Sequence, residues 1–147
     1  MIDSDPKRIV QERLIAAPPA AVFDAWRDPE SIRVWMCPDP EMSEASVEVD
    51  FRVGGRFRIV MHGAEQDYDH TGEYVEIDPP RRLVFTWISH FIRDAEQRTR
   101  VTLELEDAGE GKTQLLLVHD ELPSSDAYDG HDDGWAEILR KLAEHLG

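Results

Sequence analysis

The sequence predicts an α+β fold in which a seven-stranded antiparallel sheet precedes a long C-terminal helix. Apolar and polar residues alternate strictly in several segments, such as residues 56–62, as is typical of strands with one buried face. Short turn segments such as Pro79-Pro80 separate these strands, so successive strands are expected to pair as antiparallel hairpins. After residue 124 the apolar residues follow helical spacing instead.

The N-terminal part of the chain predicts one strand and two short helices. Residues 8–16 form the strand. Pro18-Pro19 ends it and opens a helix over residues 20–26, because proline is tolerated in a first helical turn. Asp28, followed by proline, is typical of a helix N-cap and starts the second short helix.

The rest of the chain predicts six strands and one terminal helix. The helix is expected over residues 125–146, with its first turns weakened by Gly130 and Gly134. Residues 36–43, with two prolines, predict a loop, and residues 107–112 a hairpin loop. The six strands are expected at residues 45–51, 56–62, 68–77, 82–89, 99–106 and 113–119.

Length and charge limit the classes of function. The 147 residues suit a single domain spanning 1–147, with its core between about residues 8 and 146. Lysine and arginine number 16 against 31 acidic residues, a net charge of −15. Because this charge repels phosphate, a nucleic-acid partner is not expected.

Cysteine usage and the N-terminus predict a cytoplasmic protein. The single cysteine, Cys37, excludes an internal disulfide framework and a paired-cysteine metal site. Residues 1–5 are polar and acidic, unlike a signal peptide, and no apolar run reaches the length of a membrane span. We therefore expect no membrane association.

Several motifs occur along the chain in an order and spacing that resemble one family. They are Ala17-Pro18-x-x-x-Val22-Phe23-x-Ala25-Trp26-x-Asp28-Pro29, Trp35, Gly54-Gly55-x-Phe57, Gly72-x-Tyr74-x-x-Ile77-x-Pro79-x-x-Leu83-x-Phe85-x-Trp87 and His131-x-x-Gly134-Trp135-x-x-x-Leu139. The chain resembles the C-terminal domain of the Hsp90 ATPase activator and its bacterial single-domain relatives, within the START-like (SRPBCC) superfamily that includes the polyketide cyclases.

This resemblance implies a helix-grip fold, in which a curved sheet surrounds the C-terminal helix. It also implies an apolar cavity between sheet and helix that accepts a hydrophobic ligand. The resemblance restricts the fold more than the function, because one fold hosts many different sites.

The candidate cavity residues are mainly large apolar side chains on the inward faces of the strands and helices. Packing of a simple core is the alternative interpretation of the same pattern. His119 and His131 are added because an imidazole there could hydrogen-bond a ligand or move a proton. The predicted cavity residues are Trp35, Phe57, Ile59, Met61, Tyr74, Phe85, Trp87, Leu103, Leu117, His119, His131, Trp135 and Leu139.

No metal, cofactor or catalytic motif is predicted. Asp67 and Asp69 share one face of a strand while His70 points to the other, so the three cannot converge on an ion. Gly54-Gly55 leads into a strand and is too short for a phosphate loop. We find no serine nucleophile motif, and Cys37 has no recognisable partner.

Three functions remain open at this point. A carrier or sensor for a small hydrophobic molecule is favoured, because few polar residues are predicted to face the interior. A cavity enzyme of the polyketide cyclase type and a co-chaperone-like interaction module are the alternatives. Besides the small hydrophobic molecule, the partner classes that the sequence leaves open are another protein and a second copy of the chain.

Overall fold

A computed structural model describes residues 7–36, 45–63, 66–88, 99–122 and 125–146, with side chains described for all of these except 7 and 121–133. Within this part of the chain, seven strands and three helices occur in the predicted order. Their bounds are β1 Lys7–Ile15, α1 Pro19–Ala25, α2 Pro29–Trp35, β2 Ser46–Val49, β3 Arg56–His62, β4 Asp67–Asp78, β5 Arg82–Trp87, β6 Thr99–Gly109, β7 Lys112–Leu122 and α3 Ser125–Leu146.

The seven strands form one curved antiparallel sheet in the order β1-β7-β6-β5-β4-β3-β2. Strands β2 to β7 pair with their neighbours in sequence, whereas β1 pairs with the last strand, β7. Helices α1 and α2 connect the two outermost strands of this order. The predicted α+β helix-grip architecture is therefore confirmed.

Helix α3 supplies one wall of the core. It lies against β1, β7 and α2. Its buried apolar residues recur at helical spacing, which places them on the single face turned toward the sheet. These residues are Trp135, Ile138, Leu139 and Leu142, each at most 3% exposed.

The two short helices begin as their prolines predict. Pro19 is at the start of α1 and Pro29 at the start of α2, where a missing backbone N–H leaves no hydrogen bond unmade. The carboxylate of Asp28 accepts a 3.0 Å hydrogen bond from the backbone N–H of Glu30 and caps α2.

Three predicted boundaries were wrong. Strand β2 ends at Val49 rather than 51, because residues 50–55 form a turn in which Gly54 has a φ of 84°. Strand β7 ends at Leu122 rather than 119, whereas the predicted end of β5 at residue 89 lies outside the described residues. The predicted hairpin loop at 107–112 is only the two-residue turn Glu110-Gly111, whose positive φ values of 56° and 74° fit the twist of the flanking strands.

Two other predictions fall partly or wholly outside the described residues. They are the loop at 36–43, of which only Met36 is described, and the surroundings of Cys37. Among the described helices, none is both long and apolar enough to cross a membrane.

Candidate functional site

The predicted cavity residues lie together in the interior between the sheet and α3. Every one of them whose side chain is described is at most 5% exposed. Strand parity explains this for β3, where Phe57, Ile59 and Met61 are buried and alternate with outward residues. His131 lies in α3, but its side chain is outside the described residues, so its predicted role is untested.

Aromatic rings dominate this interior. We use the name aromatic core for the side chains Trp26, Trp35, Phe57, Tyr74, Phe85, Trp87 and Trp135. Ring centroids are 4.6 Å apart for Trp26 and Trp35, and 5.3 Å apart for Trp87 and Trp135. These tilted and edge-to-face pairs fill most of the space that the curved sheet encloses.

A small cavity remains inside the aromatic core. Its volume is about 20 Å³, which has room for one water molecule but lies far below the size of a ligand pocket. It is lined by Trp26, Ile32, Met36, Phe57, Ile59, Tyr74, Leu83, Phe85 and Trp87. The other described residues of the predicted set pack around this space without lining it.

The cavity is also lined by four residues outside the predicted set, namely Trp26, Ile32, Met36 and Leu83. For Trp26 a signal existed, because it shares a helical face with Val22. That spacing indicated burial. It could not show that α1 places the ring centroid of Trp26 at 6.4 Å from that of Trp135 in α3.

Trp26 carries an unpaired polar group. Its indole Nε1 is buried and has no hydrogen-bond partner among the described residues, and the residue is only 3% exposed. By contrast, Nε1 of the neighbouring Trp35 donates to Oγ of Ser31 at 3.2 Å. Because buried polar groups are nearly always paired, the Trp26 N–H is the interior group that most needs an acceptor.

His119 is held in a chain of buried hydrogen bonds. Trp135 Nε1 donates to His119 Nδ1 at 2.9 Å. On the other side of the ring, His119 Nε2 is 2.7 Å from Thr99 Oγ1, whose hydroxyl donates to the backbone oxygen of Trp87 at 2.7 Å. Because Nδ1 accepts from Trp135 and the Thr99 hydroxyl proton is used on Trp87, the imidazole is neutral and carries its proton on Nε2, which donates to Thr99 Oγ1. Both ring nitrogens are therefore occupied.

Tyr74 is the titratable cavity-lining residue with a shifted pKa. Burial raises the pKa of its phenol well above the usual value of 10.0, and the negative charge of Asp50 adds to the shift. The side chain therefore stays a neutral phenol throughout the physiological range.

The candidate metal ligands Asp67, Asp69 and His70 lie on the strand faces that the alternation of side chains along a strand predicts. Asp67 and Asp69 are exposed, whereas His70 is 5% exposed on the inner face with its ring 4.9 Å from that of Trp87. Asp69 instead pairs with Arg58 at 3.0 Å. The described residues contain no group of three or more His, Cys, Asp or Glu side chains placed to hold a metal ion.

Comparisons with known proteins agree with this fold. Residues 16–147 match the family model described as Activator of Hsp90 ATPase homolog 1-like protein. Protein CV1439 from Chromobacterium violaceum is similar at 25% identity and a TM-score of 0.81, with 96% of this chain and 98% of that chain covered. Protein NE0264 from Nitrosomonas europaea is similar at 25% identity and a TM-score of 0.77, with 99% and 96% covered. No curated protein matches the chain.

Proposed function

This chain belongs to the family of Activator of Hsp90 ATPase homolog 1-like proteins, and from the interior of its fold we propose that it binds a small, mainly apolar molecule between the sheet and α3. In this role the protein is a carrier or a sensor. The ligand contacts the side chains that line the small cavity and accepts one hydrogen bond.

The unpaired N–H of Trp26 is the observation that carries this proposal. A buried donor without a partner costs about 1–3 kcal/mol, and an acceptor on a bound molecule removes that cost. The other cavity walls are aromatic or aliphatic, apart from the Tyr74 hydroxyl. A ketone, ether or ester group on an otherwise apolar molecule fits this combination.

The ligand must enlarge the cavity, because about 20 Å³ holds no more than a water molecule. Ile32 in α2 and Met36, the C-cap of this helix, form the cavity wall on the α2 side. Methionine is unbranched and adapts its shape readily, so Met36 is the side chain that we expect to yield first. Binding then selects a more open state of the same interior.

The histidine network favours binding over interior catalysis. An enzyme of the cyclase type needs a group free to take or give a proton beside its substrate. His119 already uses both ring nitrogens, on Trp135 and Thr99, so it has no nitrogen to spare in this state.

Fluorescence titration with Prodan, a neutral naphthalene ketone, tests the proposal. We expect saturable binding to the parent protein and about tenfold weaker binding to Trp26→Phe, because this variant lacks the donor. Trp35→Phe is the matched control, since it removes a buried indole whose N–H is already paired with Ser31, and it should bind within about twofold of the parent.

Two results would contradict the proposal. One is the absence of saturable Prodan uptake by folded protein, and the other is equal affinity of Trp26→Phe and the parent. Solvent extraction of freshly purified protein, followed by mass spectrometry, then identifies the natural ligand.

A further inference from the structure

Three chemically complementary side chains meet on the outer face of the sheet. Ser46 begins β2, His62 ends β3 and Asp67 begins β4. The register pairs His62 directly with Asp67 and places Ser46 opposite Val60. All three belong to the strand positions that point away from the aromatic core, so this site is separate from the interior.

The distances between these side chains are those of hydrogen bonds. Ser46 Oγ lies 2.8 Å from His62 Nε2, and His62 Nδ1 lies 2.9 Å from Asp67 Oδ1. The Asp67 carboxylate can only accept, so Nδ1 carries the proton in the neutral ring and Nε2 is free to accept from the Ser46 hydroxyl. A hydroxyl, a base and an acid that orients the base are thereby aligned.

We propose that Ser46, His62 and Asp67 form a hydrolytic site that cleaves carboxylic esters through an acyl-serine intermediate. Ser46 is the nucleophile and His62 is the general base and acid. Asp67 is a positioning residue, because it holds the His62 ring in the tautomer that leaves Nε2 facing Ser46. The nucleophile is exposed and directly accessible to a substrate in solution.

The reaction consists of two balanced acyl transfers. Ser46 Oγ bonds the ester carbonyl carbon as its proton passes to His62 Nε2, and the bond to the alcohol breaks as His62 gives that proton to the departing oxygen. Water then bonds the acyl carbon and gives a proton to His62, and the bond to Oγ breaks as Oγ regains the proton. One ester and one water become one carboxylic acid and one alcohol.

A groove that begins two residues beyond Ser46 on β2, and that Ser46, His62 and Asp67 do not themselves line, indicates the class of substrate. It has a volume of about 550 Å³ and includes Glu48, Arg58 and Thr71, which form one row across β2, β3 and β4. Glu48 follows Ser46 by two residues on the same strand face, so the groove begins next to the nucleophile. The Arg58 charge is matched by Asp69, whose hydrogen bond raises the pKa of the guanidinium.

The charge of the groove and of the whole chain disfavours anionic substrates. The groove lining carries the three carboxylates Glu48, Asp50 and Glu73 against two arginines, and the chain has a net charge of −15. Uncharged esters are therefore the substrates that this face accepts most readily.

A second serine–histidine pair in the chain serves as a control for nonspecific hydrolysis by exposed histidines. Ser31 Oγ lies 3.1 Å from His145 Nε2, which is a second exposed serine–histidine pair. Among the described residues no carboxylate contacts the other ring nitrogen of His145, and Ser31 already accepts from the Trp35 indole. This pair lacks the positioning acid, so the proposal assigns it no activity.

Hydrolysis of para-nitrophenyl acetate by the full chain tests the proposal. Ser46→Ala and His62→Ala should each lower the protein-dependent rate about tenfold or more. Asp67→Asn should lower kcat while leaving KM unchanged, because it disturbs the tautomer rather than the groove. His145→Gln should retain the parent rate.

Mass spectrometry of the protein trapped during turnover locates the acyl group. The proposal requires an acetyl group on Ser46 in the parent protein and its absence in His62→Ala. Hydrolysis at the same rate by the parent and Ser46→Ala, or acetylation confined to other residues, overturns it. Thermal melting of each variant checks that these exposed substitutions leave the fold intact.

Discussion

Trp135 in α3 donates its indole N–H to Nδ1 of His119 in β7 across 2.9 Å, and neither residue is more than 1% exposed. This polar contact lies among apolar side chains and ties the terminal helix to the sheet at one position. A buried hydrogen bond of this kind has few alternative geometries, so it specifies how α3 docks in addition to stabilising the docked state.

Replacing Trp135 with Phe should destabilise the fold by about 1–3 kcal/mol beyond the matched control Trp35→Phe. Both substitutions shorten a buried indole. Only Trp135→Phe leaves a fully buried acceptor, His119 Nδ1, without its donor, since the partner of Trp35 is the more accessible Ser31. Urea unfolding measures both free energies, and equal losses would show that the hydrogen bond to His119 contributes nothing.

Replacing Gly72 with Ala should destabilise the protein by about 3 kcal/mol. A Cβ at this position would lie 2.0 Å from the backbone oxygen of Thr86 and 2.5 Å from the Phe57 ring, so the strand or the ring must shift. Thr71→Ala, at the outward neighbouring position, should change stability by about 0.5 kcal/mol or less. If thermal and urea unfolding show the two variants to be equally stable, the close packing of Phe57 on β4 is wrong.

Replacing Tyr74 with Phe should flatten the alkaline part of the stability curve. Burial raises the pKa of this phenol in the folded protein above 10.0, its usual value. Above about pH 10 the unfolded chain loses the phenol proton while the folded protein keeps it, so the free energy of unfolding of the parent falls as pH rises. Below that pH the contribution is fully present.

Urea unfolding at a series of pH values from neutral to strongly alkaline checks the Tyr74 prediction. The parent should lose stability more steeply than Tyr74→Phe above about pH 10. Parallel curves for the two proteins would contradict a buried, neutral phenol at this position.

The fold was largely predictable because its strands alternate clearly. The bounds of β3 were predicted correctly from the alternation of Phe57, Ile59 and Met61. The loop of the β6–β7 hairpin was predicted too long. Residues 107–109 continue β6 with exposed side chains, and exposed residues show no apolar alternation. The sequence periodicity reports burial on one face and cannot measure how far a strand continues into solvent.

The sites were harder to predict because they depend on contacts between distant segments. The unpaired Trp26 N–H follows from how α1 docks on the sheet and α3, which helical spacing alone does not encode. The contact of Ser46 with His62 depends on the register of β2 on β3, and hence on the turn that joins these strands. No serine nucleophile motif in the sequence indicates this site, because Ser46, His62 and Asp67 come from three different strands.

Replacing Met36 with Ala should weaken the fold yet strengthen binding of Prodan. Met36 lines the 20 Å³ cavity and is 2% exposed, so its truncation should destabilise the protein by about 2–5 kcal/mol while it enlarges the cavity. A ligand then has fewer side-chain atoms to move when it binds. This lowers the cost of binding and raises the affinity.

Met61→Ala is the matched control for this last prediction, because Met61 is equally buried at 2% exposure but does not line the cavity. It should lose a comparable amount of stability, since the truncated side chain is the same. Its affinity for Prodan should stay within about twofold of the parent, because Met61 is not among the residues that line the cavity beside Trp26. Calorimetric unfolding and fluorescence titration of the two variants separate a specific interior site from general loosening of the core. A gain in affinity for both variants, or for neither, would contradict a binding site at the Trp26 cavity.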